Sequence, residues 1–170
     1  MRGLALAALL ASACAHPGSP LRTVDRVDLS RYVGTWYEIA TIPASFQRGC
    51  VGVTATYALR PDGDVDVLNT CRKETLDGPV RTARGKAWSV DPSNAKLEVQ
   101  FFWPFHGDYW VIDLGPNYEY AVVGHPSREY LWVLSRTPAM DEATYQAVLS
   151  RLREQGYDLS RIVLTPQPPA

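Results

Sequence analysis

The chain is poor in the residues that carry out covalent and metal chemistry. Its 170 residues include only three histidines and three cysteines. His16 lies near the N-terminus, and His106 and His125 fall in stretches that read as loops. No spacing among them resembles a metal site, and no Ser, His and carboxylate set points to a triad. Charge of one sign is missing too: a formal net charge of -1 supplies no field to draw nucleic acid. The apolar run at the N-terminus, Leu4 to Ala11, is too short to cross a bilayer as a helix. The expectation is a protein with no cofactor and no metal that is not an enzyme.

What the chain has in quantity is aromatic residues, with five Trp and nine Tyr. They form either a large core or an aromatic-lined pocket, and composition does not choose between these. At 46% hydrophobic and 21% charged, the chain suits one globular domain that buries most of its own apolar surface.

The first residues read as an export signal. Arg2 precedes the apolar run, and Ser12-Ala13-Cys14 follows it. A cysteine directly after small residues resembles the lipobox of bacterial lipoproteins, with plain secretion as the alternative. That resemblance implies a signal peptide over 1–13, and an acyl lipid such as palmitate on Cys14. Residues 14–27, rich in Pro, Gly and Ser, read as a flexible tether. Ala15 after the cysteine implies the outer membrane, with the domain facing the periplasm.

Export would leave Cys50 and Cys71 as a pair in an oxidising compartment. They lie on two runs joined by Arg60-Pro61-Asp62-Gly63, a strong turn signal. Folding that hairpin sets them nearly opposite each other, so a disulfide is expected. A reactive Cys50 thiol is the competing reading.

From Gly34 the chain alternates strand and turn. Val53, Ala55 and Tyr57 share a face, as do Val65, Val67 and Asn69 after the turn. Ala83, Gly85 and Ala87 oppose Arg84, Lys86 and Trp88, and Leu97, Val99, Phe101 and Trp103 alternate with Glu98, Gln100 and Phe102. Runs at 109–114, 118–124 and 130–136 complete eight. Hairpin-length links and no helix between them predict an all-β meander closing as an eight-stranded antiparallel up-and-down barrel. Small inward residues such as Ala55, Ala83, Gly85, Ala87 and Ala121 leave room for a cavity. Asp141 to Gln155 has helical spacing, with Tyr145, Val148, Leu149 and Leu152 on one side. This C-terminal α-helix is expected outside the barrel, over Trp88 and Phe102. The barrel domain is set at 28–166, with a tail at 167–170.

Gly34-Thr35-Trp36-Tyr37-Glu38-Ile39-Ala40 resembles the first signature of the lipocalin family, and Leu131 to Pro138, containing Arg136, resembles its third. Phe46 to Gly49 and Thr54 to Tyr57 extend the likeness toward the bacterial outer-membrane lipoprotein branch, related to apolipoprotein D. The resemblance implies Gly34, Trp36 and Arg136 as the closed barrel base. It implies carriage or storage of a fatty acid or lysophospholipid. The inward positions expected to bind it are Tyr57, Asn69, Phe101, Tyr109, Trp132 and Leu134, and the resemblance implies pocket-lining roles for Tyr57, Asn69, Phe101 and Trp132 among them. Membrane contact would come through the lipid anchor, and a homodimer stays open. Two rival functions remain: a lipid-acting enzyme using Cys50, and an envelope interaction module with a filled barrel.

Overall fold

A computed structural model describes residues 19–169. The signal segment, Cys14 and the start of the tether lie outside the described residues.

Nine strands form one antiparallel sheet in the order β2-β3-β4-β5-β6-β7-β8-β1-β9, and β1 also pairs with β2 to close the barrel. They are β1 Gly34–Ile42, β2 Cys50–Leu59, β3 Val65–Lys73, β4 Val80–Ser89, β5 Lys96–Phe102, β6 Phe105–Leu114, β7 Tyr120–Gly124, β8 Leu131–Ser135 and β9 Val163–Leu164. A short helix, α1 (Leu29–Tyr32), precedes β1, and α2 (Glu142–Glu154) follows β8. The eight-stranded barrel with one C-terminal helix outside it is as expected. β6 begins at Phe105 rather than Tyr109, because Phe102 pairs with Phe105 across a two-residue turn and extends the hairpin.

Period-two alternation assigns the faces. Val65, Val67, Ala87, Leu97 and Val111 face inward with Trp36 and Leu134 in one buried cluster. Their neighbours on β1, β6, β7 and β8, including Ile42, Ile112, Val122, Leu131 and Val133, form a second cluster outside. That second cluster receives α2, where Val148 and Leu152 are buried. The helix therefore does not cover Trp88 and Phe102. Phe102 is 75% exposed, and Trp88 packs by Lys86 and His106. An amphipathic stripe specifies that a helix has an apolar partner, not which one. Here the continuous apolar outer face of β6 to β8 is the partner. Arg151 adds a polar tie to the same face, with its Nε donating to Asp113 at 2.6 Å and its guanidinium to the Tyr120 hydroxyl at 2.9 Å.

The stretch read as tether is packed from Leu21 onward. Leu21 and Val27 are buried, and the Val24 amide donates to the Val111 carbonyl at 3.0 Å. The stretch read as a tail is also engaged. β1 pairs with β2 only from Gly34 to Tyr37, and above that rung the C-terminal segment enters the seam. β9 pairs with Ala40 and Thr41. The Gly52 amide donates to the Pro166 carbonyl at 2.8 Å. Gln167 Nε2 donates to the carbonyls of both Glu38 and Val53 at 2.8 Å, joining the separated strands.

Candidate functional site

The barrel has a closed end and an open end. At the closed end the Arg136 guanidinium lies 3.7 Å above the Trp36 ring centre. Its nitrogens donate to the carbonyls of Arg31, Val33, Thr35 and Tyr118 at 2.7 to 3.3 Å. Trp36 is fully buried, and its indole donates to the Tyr32 carbonyl at 2.8 Å. Partial burial lowers the Arg136 pKa from its usual value. Gly34 has φ +98°, and a Cβ there would sit 3.2 Å from the guanidinium. The glycine supplies both the turn and the clearance. The resemblance-derived base residues thus meet in one plug, worth about 1–2 kcal/mol from the cation–π contact alone.

Directly above the plug the barrel is packed around three tyrosines. Tyr109 shares hydrogen bonds with Tyr32 at 2.8 Å and Tyr57 at 2.9 Å, hydroxyl to hydroxyl. Burial holds all three phenols neutral, with Tyr57 pushed up to about 12. Beside them a void of about 20 Å³, lined by residues such as Val65, Leu97 and Val111, has room for roughly one water. Tyr57 and Tyr109 were expected in the ligand set, and the structure places their polar ends on each other. Leu134 is buried in the same lower cluster.

The upper half is different. Asn69, Phe101 and Trp132 are half-buried on the inner face. Phe101 rests on Gly85, where a Cβ would come within 2.8 Å of its ring. The space beside Gly85 is thus filled by an aromatic wall. Ala87 and Ala121 are buried in the lower core, so of the small inward residues Ala83 alone is exposed, opposite Asn69.

Trp132 anchors a polar chain that the sequence did not reveal. Its indole donates to Gln47 Oε1 at 3.1 Å. Gln47 Nε2 donates to Glu38 Oε2 at 2.5 Å, and Thr165 Oγ1 donates to Glu38 Oε1 at 2.5 Å. Glu38 pairs with inward-facing Leu134 and is 2% exposed. Burial raises its pKa, opposed by the hydrogen bonds from Thr165 and Gln47. Alternation from Trp36 turns Glu38 inward, but its partners come from the loop before β2 and from the C-terminal segment, which spacing along β1 does not show.

Around the open end stand Phe46, Trp103 and Phe105, each more than 70% exposed. Phe46 stacks with Tyr130, which stacks in turn on Trp132. Cys50 and Cys71 form the expected disulfide, with Cα atoms 5.5 Å apart. That bond removes the Cys50 thiol from any nucleophilic role. Among the described residues no three His, Cys, Asp or Glu gather into a metal-binding group.

The lipocalin-like domain family matches residues 27–167. The chain belongs to that family. This lipocalin is 42% identical to the outer membrane lipoprotein Blc of Citrobacter freundii, over 96% of this chain and 94% of the relative. It is 41% identical to temperature-induced lipocalin-1 of Arabidopsis thaliana, over 86% and 83%. Against mouse apolipoprotein D the identity is 34%, over 89% and 82%. Insecticyanin from the tobacco hornworm shares the fold, with a TM-score of 0.69 at 20% identity over 90% and 88% of the two chains. Lipocalins are, in general, binding proteins for small hydrophobic ligands rather than enzymes.

Proposed function

We propose that this lipocalin carries or stores a single-chain lipid, a fatty acid or lysophospholipid, in the upper half of its barrel at a bacterial cell envelope. The observation that carries the reading is the contrast between the two halves. The lower barrel is packed to a void of about 20 Å³, whereas Asn69, Ala83, Phe101 and Trp132 line an inner surface that side chains leave partly uncovered. Aromatic walls with one amide suit a narrow apolar chain ending in a polar group.

Of the six ligand residues expected from the sequence, Asn69, Phe101 and Trp132 are assigned the direct contacts. Tyr57, Tyr109 and Leu134 form the floor beneath them. The likeness to outer-membrane lipoproteins supports lipidation at Cys14, with its acyl chains in the outer membrane and the domain facing the periplasm.

The test is a fluorescent fatty-acid titration with the wild type and Trp132→Ala. The variant should bind at least about tenfold more weakly, given roughly 25 cal/mol for each Å² of lost apolar contact. Its melting curve should stay cooperative, because Trp132 is only half-buried. Unchanged affinity in a folded Trp132→Ala would remove the upper barrel as the site. No displaceable binding by the wild type, across acyl chains and lysolipids, would favour the interaction-module alternative.

A further inference from the structure

We propose that Arg81 is the head-group contact of this cavity and selects single-chain amphiphiles with an anionic head, carboxylate or phosphate, over neutral ones. The inference rests on the reading of the upper barrel as a lipid site and names the end of the ligand that reading leaves open.

The argument begins with register. β3 and β4 pair without a shift, through Val65 with Ala87, Val67 with Gly85, Asn69 with Ala83 and Cys71 with Arg81. Directly paired residues share a face, and faces alternate along each strand. Val65, Val67 and Ala87 are in the inner core, so the same face carries the ladder up to Arg81. Since β4 begins at Val80, this rung lies at the mouth. Arg81 is exposed there, and no described residue accepts a hydrogen bond or ion pair from its guanidinium.

The nearby cation on that face is engaged elsewhere. Lys73 pairs with Cys50, but its ammonium donates to the Arg48 carbonyl at 2.6 Å. One rung below Arg81 come exposed Ala83 and the Asn69 amide, and further in come Phe101 and Trp132. A head held by Arg81 would let its tail descend past both rings. The opposite orientation would bring an anion toward the buried Glu38 carboxyl, whose partners Gln47 and Thr165 are neutral and give the anion no cation to pair with. Both polar features therefore favour the head at the mouth. A guanidinium fork suits either oxyanion.

The experiment is a displacement titration of the whole chain with myristic acid, 1-myristoyl lysophosphatidic acid and tetradecanol, in the wild type, Arg81→Gln and Arg81→Glu. Arg81→Gln should weaken at least one of the two acids by about tenfold, the value of one charge-assisted contact, and leave tetradecanol unchanged. Arg81→Glu should weaken it further. A loss confined to the fatty acid identifies a carboxylate head, and one confined to the lysolipid a phosphate head. Acid binding that survives both substitutions, or an equal loss for tetradecanol, overturns the role of Arg81 while leaving the barrel site standing. Failure of all three ligands to bind the wild type overturns the lipid site itself.

Discussion

Glu38 is a carboxyl inside an apolar barrel, held by two neutral donors and no cation. Its pKa is raised, so the fold prefers it protonated. When pH rises through the ordinary carboxylate range, about 4.3 for glutamate, the unfolded chain loses this proton first. Stability then falls until Glu38 ionises in the folded state too, and levels off beyond that point. Glu38→Gln keeps an acceptor and removes the titration. The difference in unfolding free energy between variant and wild type should be flat below the unfolded value and grow in the variant's favour above it. Urea titrations across pH 4 to 8 measure this, and a pH-independent difference would contradict it. Arg136 acts at the same scale by another route. Arg136→Ala strips the donors from several carbonyls at the closed end and should cost roughly 2–3 kcal/mol in urea unfolding. Arg136→Lys should recover less than half of that, since an ammonium cannot span the same set of carbonyls.

Among the elements, the strands were legible because side chains alternate strictly, so Val65, Val67 and Asn69 declare a face from spacing alone. The helix was legible too, with Asp141 at its N-cap accepting from the Thr144 amide at 2.9 Å. Its docking site was not, because the apolar outer face that receives Val148 and Leu152 is assembled from strands far apart in the chain. The C-terminal end was less legible: residues 167–170 read as a tail because Pro168 and Pro169 continue no strand, yet Gln167 bridges β1 and β2. Truncation after Leu164 should open the upper β1–β2 seam, since it removes the Gln167 bridge and one donor to Glu38. Amide exchange at Gly52, whose partner is the Pro166 carbonyl, should accelerate sharply while amides on β5 and β6 stay protected. Equal exchange in both proteins would mean the segment only rests on the barrel. On α2, Leu152→Ala should cost about 2–5 kcal/mol, readable as a lower melting temperature.

At the scale of the whole molecule the barrel divides its work by height. The lower half is closed by Arg136 on Trp36 and filled by three tyrosines whose hydroxyls satisfy one another. The upper half carries the disulfide, the aromatic mouth and the partly uncovered inner wall. Gly34, Trp36 and Arg136, which the resemblance singles out, meet at one end because the arginine stacks on the indole and the glycine leaves it clearance. The ligand set was less legible. Alternation reports that Tyr57 and Trp132 face inward, but not that the floor of Tyr32, Tyr57 and Tyr109 leaves little free space near the first. The staple between Cys50 and Cys71 closes a loop across the upper hairpin and should contribute about 3 kcal/mol. Reduction should therefore lower the urea midpoint. The central claim is that the upper half holds one acyl chain. The most direct measurement is native mass spectrometry of the protein with saturated fatty acids of increasing length. The account predicts a one-to-one complex whose affinity rises by about 0.8 kcal/mol per methylene until the chain reaches the tyrosine floor. A bare protein mass at every chain length, or an affinity independent of length, would contradict it.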